Sequence, residues 1–193
     1  MRLGLLLWIS LLVFYPHAAQ DRAFVEAKIK RWTEEVRRNP RNFETLAAIG
    51  SAYGKLGRHD TALEFFKKAI AVNPKYAPAY LGAAASYGFL GRLDDKIAAC
   101  KKAVALDPGN AEAYGNLGSA LGKSGRYKES AEALKEAVRL KPTFADAHFA
   151  LGLAYISLGD RNLAIKQSQA LDQLDPALAQ RLRDVIAASA ARK

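Results

Sequence analysis

The sequence predicts an all-α protein, an array of antiparallel helical hairpins with about ten helices and no strands. Three observations lead there. Prolines stand at Pro40, Pro74, Pro108, Pro142 and Pro176, a constant step of 34 residues. Glycines keep the same step at Gly57, Gly91, Gly125 and Gly159. Between these markers apolar residues recur at helical spacing, first Leu46, Ile49, Gly50 and Tyr53, then Leu63, Phe66, Ala69 and Ile70.

The first element, residues 1–19, differs from the rest. Arg2 is followed by an apolar run from Leu3 to Phe14 and a small-residue patch at Ala18 and Ala19, the layout of a secretory signal peptide. The run is shorter than the ~20 residues of a membrane span. Cleavage after Ala19 would leave His17 at the −3 position, a poor residue there, so an uncleaved N-terminal anchor is the alternative. The protein is therefore expected to be exported, periplasmic or secreted, or else held at a membrane by this segment alone. Residues 20–42 follow as a flanking element. Its helix over residues 22–38 brings Phe24, Val25, Ile29, Trp32 and Val36 to one side and covers the first hairpin.

Four units come next, residues 43–76, 77–110, 111–144 and 145–178. In each, a first helix stops at the row glycine, which reaches the left-handed conformation without a Cβ penalty. A second helix stops at the row proline, which cannot continue it. Further rows share the register: Val72, Leu106, Leu140 and Leu174; Arg58, Arg92 and Arg126; and Gly50, Gly118 and Gly152 with Ala84 in the remaining slot. Residues 179–193 are the C-terminal helix and tail. The helix, over residues 177–190, sets Leu178, Leu182, Val185 and Ile186 on one face and turns Arg181, Arg183 and Asp184 away.

These rows resemble the tetratricopeptide repeat family, whose 34-residue unit reads W-x2-L-G-x2-Y, then A-x3-F, A and P. Residues 43–76 place Leu46, Ile49-Gly50, Tyr53, Ala62, Phe66, Ala69 and Pro74 in those slots, and the later units follow with substitutions. Lys96 departs from the pattern, standing where the family has a small residue between its two helices; it must snorkel or open the hairpin. Ser168 and Leu171 loosen the fourth unit. The resemblance implies a right-handed α-solenoid whose first helices line a concave groove. Its groove positions fall here on Ala47, Ser51 and Lys55; Leu81, Ala85 and Phe89; Asn116, Ser119 and Lys123; and Phe149, Leu153 and Ile156. It also implies a non-catalytic scaffold that binds a peptide or helix segment. Ala47 and Ser51 replace the polar residues of the family's carboxylate-clamp subclass, and Asn116 has no partners for an asparagine ladder. The expected partner is thus an apolar polypeptide segment anchored near Leu81, Phe89, Phe149 and Leu153.

Other chemistries find little support. Cys100 is the one cysteine, so no internal disulfide forms. His17, His59 and His148 lack ligand-spaced neighbours, and no metal or cofactor is expected. Gly118 to Ser124 resembles a phosphate loop but has three residues between its glycines and follows no strand. The formal charge of +10 suggests a polyanion or anionic membrane surface as an alternative partner, through a row of Lys67, Lys68, Lys101 and Lys102 on the second helices. The absence of base-stacking aromatics among the basic residues argues against nucleic acid. An enzyme is not expected.

Overall fold

The structure, a computed structural model, describes residues 16–190, with side chains over residues 21–189. The expected leader lies outside these residues except for its last positions, Pro16 to Ala19, which begin a helix. Ten helices and no strands occur among the described residues: α1 (Pro16–Arg38), α2 (Phe43–Lys55), α3 (His59–Val72), α4 (Ala77–Phe89), α5 (Leu93–Leu106), α6 (Ala111–Lys123), α7 (Tyr127–Leu140), α8 (Ala145–Leu158), α9 (Arg161–Leu171) and α10 (Pro176–Ala190). None is long and apolar enough to cross a membrane. The chain divides between Pro74 and Lys75 into two compact units.

In the first unit α2 packs on both α1 and α3. Ile29, Ile49 and Ala52 are buried at its centre, with Val25, Trp32, Val36, Tyr53 and Phe65 packed around them. In the second unit each helix packs on the next, α8 also meets α10, and α6 also meets α8. One apolar cluster joins Ala84, Ile97, Cys100, Leu117 and Leu121. A larger one joins Leu134, Leu151, Tyr155, Leu171, Leu182 and Ile186.

The same turn closes every hairpin. Gly57, Gly91, Gly125 and Gly159 have φ of 74°, 72°, 77° and 81°. The following amide donates back across the turn, as Arg58 N–H to the Tyr53 carbonyl at 2.9 Å and Asp160 N–H to the Tyr155 carbonyl at 2.8 Å. Helix starts are capped where the residue permits it. Asn42 Oδ1 accepts from Thr45 N–H, and Asn110 Oδ1 from Ala113 N–H, both at 3.0 Å. The other glycine row serves close approach. A Cβ on Gly118 would lie 2.9 Å from Leu134 Cδ2 and 3.1 Å from the Ser130 carbonyl oxygen.

Two elements differ from expectation. Helix α1 begins at Pro16 rather than at residue 22. Helix α9 ends at Leu171, a turn earlier than the repeat register, and Pro176 opens α10 instead of only stopping what precedes it. Asp175 explains the second difference: its Oδ1 accepts from Ala177 N–H and Leu178 N–H, both at 3.0 Å, and proline suits the first helical position. Lys96 snorkels. Its side chain runs over Gly88, where a Cβ would stand 3.2 Å from both Cδ and Nζ.

Candidate partner-binding clefts

In the first unit a cleft of about 500 Å³ lies between α1 and α2. Ser51 and Lys55 line it from α2, and the opposite wall comes from Phe24, Val25, Lys28 and Trp32 of α1. Phe24 is 61% exposed, and Lys28 Nζ lies 4.4 Å above its ring. Ala47 is only 6% exposed, so it is a packing residue and not part of an accessible groove. Its burial follows from the covering of α2 by helices on both sides.

Two clefts open in the second unit, both between α6 and α8. Glycines shape the α6 wall. Gly115 admits the Phe144 ring, whose Cε1 would meet an added Cβ at 2.8 Å, and Gly122 faces Ser130 Oγ, 3.1 Å from where a Cβ would stand. The missing side chains let Phe144 and Ser130 approach the α6 backbone closely at these points. The α8 wall is held from behind by Leu182, which fills the space left by Gly152.

The first of these clefts, about 500 Å³, lies toward the N-terminal ends of both helices and is lined by polar and apolar atoms in similar measure. Glu112, Asn116 and Ser119 of α6 face Asp146 and Ala147 of α8, with Lys141 and Phe144 at the side. Lys141 Nζ lies 5.4 Å from the Phe144 ring centre. The second, about 420 Å³, lies toward the C-terminal ends and is mostly apolar. Ser119 and Lys123 face Phe149, Leu153, Ile156 and Ser157, and Tyr127 and Val185 close it. Ser119 lines both clefts.

Of the sequence-derived groove positions, then, five meet in one cleft: Ser119, Lys123, Phe149, Leu153 and Ile156. Asn116 belongs to the adjoining cleft of mixed character. Leu81, Ala85 and Phe89 line none of these clefts; they lie along α4, with Phe89 75% exposed. Tyr127 and Val185 line the apolar cleft too; they come from a second helix and from the last helix, which the groove positions of the first helices do not cover. The signal for Tyr127 was an aromatic residue opening α7; for Val185, an apolar residue three positions beyond the buried Leu182. Arg181, expected to turn away, lays its guanidinium 5.0 Å from the Phe149 ring centre.

Three polar groups found in the sequence are structural. His148 is buried, with Nε2–H donating to the Pro142 carbonyl at 2.9 Å and Nδ1 paired with the Gln167 side-chain amide at 2.8 Å. The Cys100 thiol is fully buried, and that burial pushes it up to about 11, against a smaller opposing pull from Lys96. At neutral pH it stays a thiol, a poor nucleophile. Gly118 to Lys123 form the last turns of α6, so their amides serve the helix and cradle no phosphate.

Models of the tetratricopeptide repeat match residues 43–76, 77–110, 99–132 and 145–178, and a further TPR repeat model matches 123–159. Together they run without a gap from 43 to 178. The chain belongs to the tetratricopeptide repeat family. Solved structures of similar fold include the crystal structure of MamA, 26% identical with a TM-score of 0.75, spanning 83% of this chain and 94% of its own. TTC0263, a thermophilic TPR protein in Thermus thermophilus, is 25% identical with a TM-score of 0.64, spanning 90% and 95%. YrrB, described as a TPR protein with an unusual peptide-binding site, is 23% identical with a TM-score of 0.74, spanning 84% of each chain; at that identity the likeness concerns the fold alone. No curated protein matches by sequence. Tetratricopeptide repeat proteins are in general interaction scaffolds without catalysis, and the fold described above is of that type.

Proposed function

We propose that this protein is a non-catalytic interaction scaffold that receives an apolar segment of a partner polypeptide between α6 and α8. The observation that supports this reading is the apolar cleft of about 420 Å³ lined by Phe149, Leu153, Ile156, Tyr127 and Val185. Its size falls within the ~300–1,000 Å³ of ligand clefts, and its aromatic walls are of the type where binding energy concentrates. The signal-like start of the sequence supports action outside the cytoplasm, in the assembly of envelope complexes, or at a membrane if that segment is retained. A basic outer wall for polyanions is the alternative; Arg92 and Arg126, which cap second helices, and Arg139 are each paired with a neighbouring carboxylate, Asp95, Glu129 and Glu136 respectively, so that reading rests on the lysine row of Lys67, Lys68, Lys101 and Lys102.

The test is affinity capture after crosslinking in native cells, comparing wild type with Phe149→Asp/Leu153→Asp. Circular dichroism first establishes that the double variant is folded. Loss of the wild-type partners is expected. A folded variant that captures the same partners in the same amounts would sink the reading, and N-terminal sequencing of the same material reports on cleavage after Ala19.

A further inference from the structure

The cleft between α1 and α2 has a counterpart three repeats further along the chain, and there a helix, α6, lies between the matching faces. The α2 wall of the cleft is Ala48, Ser51, Ala52 and Lys55. Three repeats on, the same slots hold Ala150, Leu153, Ala154 and Ser157, the face that α8 turns toward α6. The α1 wall includes Val25, Lys28 and Trp32. Their slots three repeats on hold Tyr127, Ser130 and Leu134. Leu134 and Ser130 stand against α6 at Gly118 and Gly122, and Tyr127 lines the space beside them. In the second unit α6 thus packs on α7 and α8 through faces that α1 and α2 also possess. In the first unit those faces line an open cleft, with Phe24 61% exposed at its edge.

The register also specifies what such a cleft accepts. First helices pass their second helices closely at two points four residues apart. A Cβ on Gly50 would stand 3.1 Å from the Phe66 ring, and one on Gly118 would stand 2.9 Å from Leu134 Cδ2. One turn later Gly88 meets Lys96 at 3.2 Å and Gly122 meets Ser130 Oγ at 3.1 Å. In α1, Trp32 holds the Phe66 slot and Lys28 holds the Lys96 slot. A helix antiparallel to α1 therefore needs a small residue opposite Trp32. Four residues on it needs a glycine opposite Lys28, so that the lysine stem passes as Lys96 does over Gly88. Residues 1–15 do not have this pattern, since their small residues, Gly4 and Ser10, are not four apart. Residues 16–21, which the repeat register would give to a first helix, belong to α1. The chain's own helices of this pattern, α2, α4 and α6, are engaged in its hairpins.

We propose that the cleft between α1 and α2 is a second acceptor site, which takes an α-helix of a partner protein in the position that a first helix has in the other hairpins. The helix matches the 13 residues of α2, α4 and α6 in length. It carries two small residues four apart, the second a glycine, and covers Phe24 and Trp32. This site is independent of the cleft between α6 and α8.

The α6 sequence supplies the probe. A labelled peptide of residues 111–123 carries a hydrocarbon staple in place of Leu117 and Leu121, which in the chain pack with Ile97 and Cys100 and in the peptide face away from the cleft. Its binding to the full chain is followed by fluorescence anisotropy. Emission of Trp32 in a Trp8→Phe background, with unlabelled peptide, reports whether the cleft is reached. Saturable binding with a blue shift of Trp32 is expected. Gly118→Leu/Gly122→Leu in the peptide should weaken binding at least about tenfold, the scale of overpacking at a close approach. Phe24→Glu/Ser51→Arg in the chain, at two exposed positions, should do the same. Phe149→Asp/Leu153→Asp in the chain should leave binding unchanged. Absence of binding, an unchanged Trp32 emission, or equal binding by the leucine peptide overturns the proposal, as does equal binding to the Phe24→Glu/Ser51→Arg chain. Loss of binding to Phe149→Asp/Leu153→Asp would place the peptide between α6 and α8 and overturn it too.

Discussion

Glycines of one repeat protein obey opposite rules according to what a Cβ would touch. Gly54 lies within α2 and has open space around it, whereas Gly118 lies against Leu134 and the Ser130 carbonyl. Gly54→Ala should therefore stabilise the protein by about 0.5–1 kcal/mol, since a helical alanine gives up less backbone freedom. Gly118→Ala should destabilise it by roughly 1–3 kcal/mol through overpacking of α6 on α7. Urea titrations of the two variants check both signs. Cys100 allows a pH prediction. Its thiol is raised from 9.0 to about 11 by burial, so the native state holds a proton that the unfolded chain releases. Below pH 9 both states are protonated and nothing is lost. Between pH 9 and 11 the unfolded state gains by ionising, and stability falls by up to roughly 2–3 kcal/mol. Cys100→Ala lacks this contribution, so stability curves of wild type and variant against pH should converge as pH rises through that window. Curves that stay parallel would show that the thiol ionises alike in both states.

At the level of helices, the periodic elements were the legible ones. A glycine that must reach positive φ and a proline that forbids continuation are local requirements, and they mark the ends of α2 to α8 in the sequence itself. The ends of the chain obey other constraints. Residues 16–21 have no apolar period to announce the start of α1. Asp175 competes with the repeat: by capping α10 it draws the helix start to Pro176 and leaves α9 three residues short of the Leu174 slot. An Asp followed by Pro is a readable start signal, but the 34-residue row of prolines assigns Pro176 the role of a stop. The clefts were half legible. Family positions say which way a side chain points along a first helix; they do not say whether neighbours leave a void beside it. Hence Phe149, Leu153 and Ile156 face a cleft, Ala47 is covered, and Leu81 and Phe89 lie along a helix edge.

On the scale of the molecule, the two compact units differ in what they contain. The second keeps three hairpins, the last helix and two apolar clusters; the first keeps a single hairpin and α1. Repeat arrays need about three units to bury a continuous core. A fragment of residues 75–193 should therefore be helical and melt cooperatively by circular dichroism, while a fragment of residues 16–74 should show little cooperative unfolding. A non-cooperative melt of the larger fragment would mean that its stability depends on the rest of the chain.

The overlap of Lys96 with Gly88 has a consequence for how this sequence can change with time. The same two slots, eight residues apart, recur as Gly54 and Ala62, Gly122 and Ser130, and Ile156 and Ala164. Where the second residue is alanine, the glycine has free space; where it is serine or lysine, the clearance falls to 3.1 or 3.2 Å; where the first is isoleucine, the second is again alanine. The two positions share one fixed volume. Descendants of this chain should exchange bulk between them in paired steps, and a large residue at position 88 should arise in lineages that have already shortened position 96.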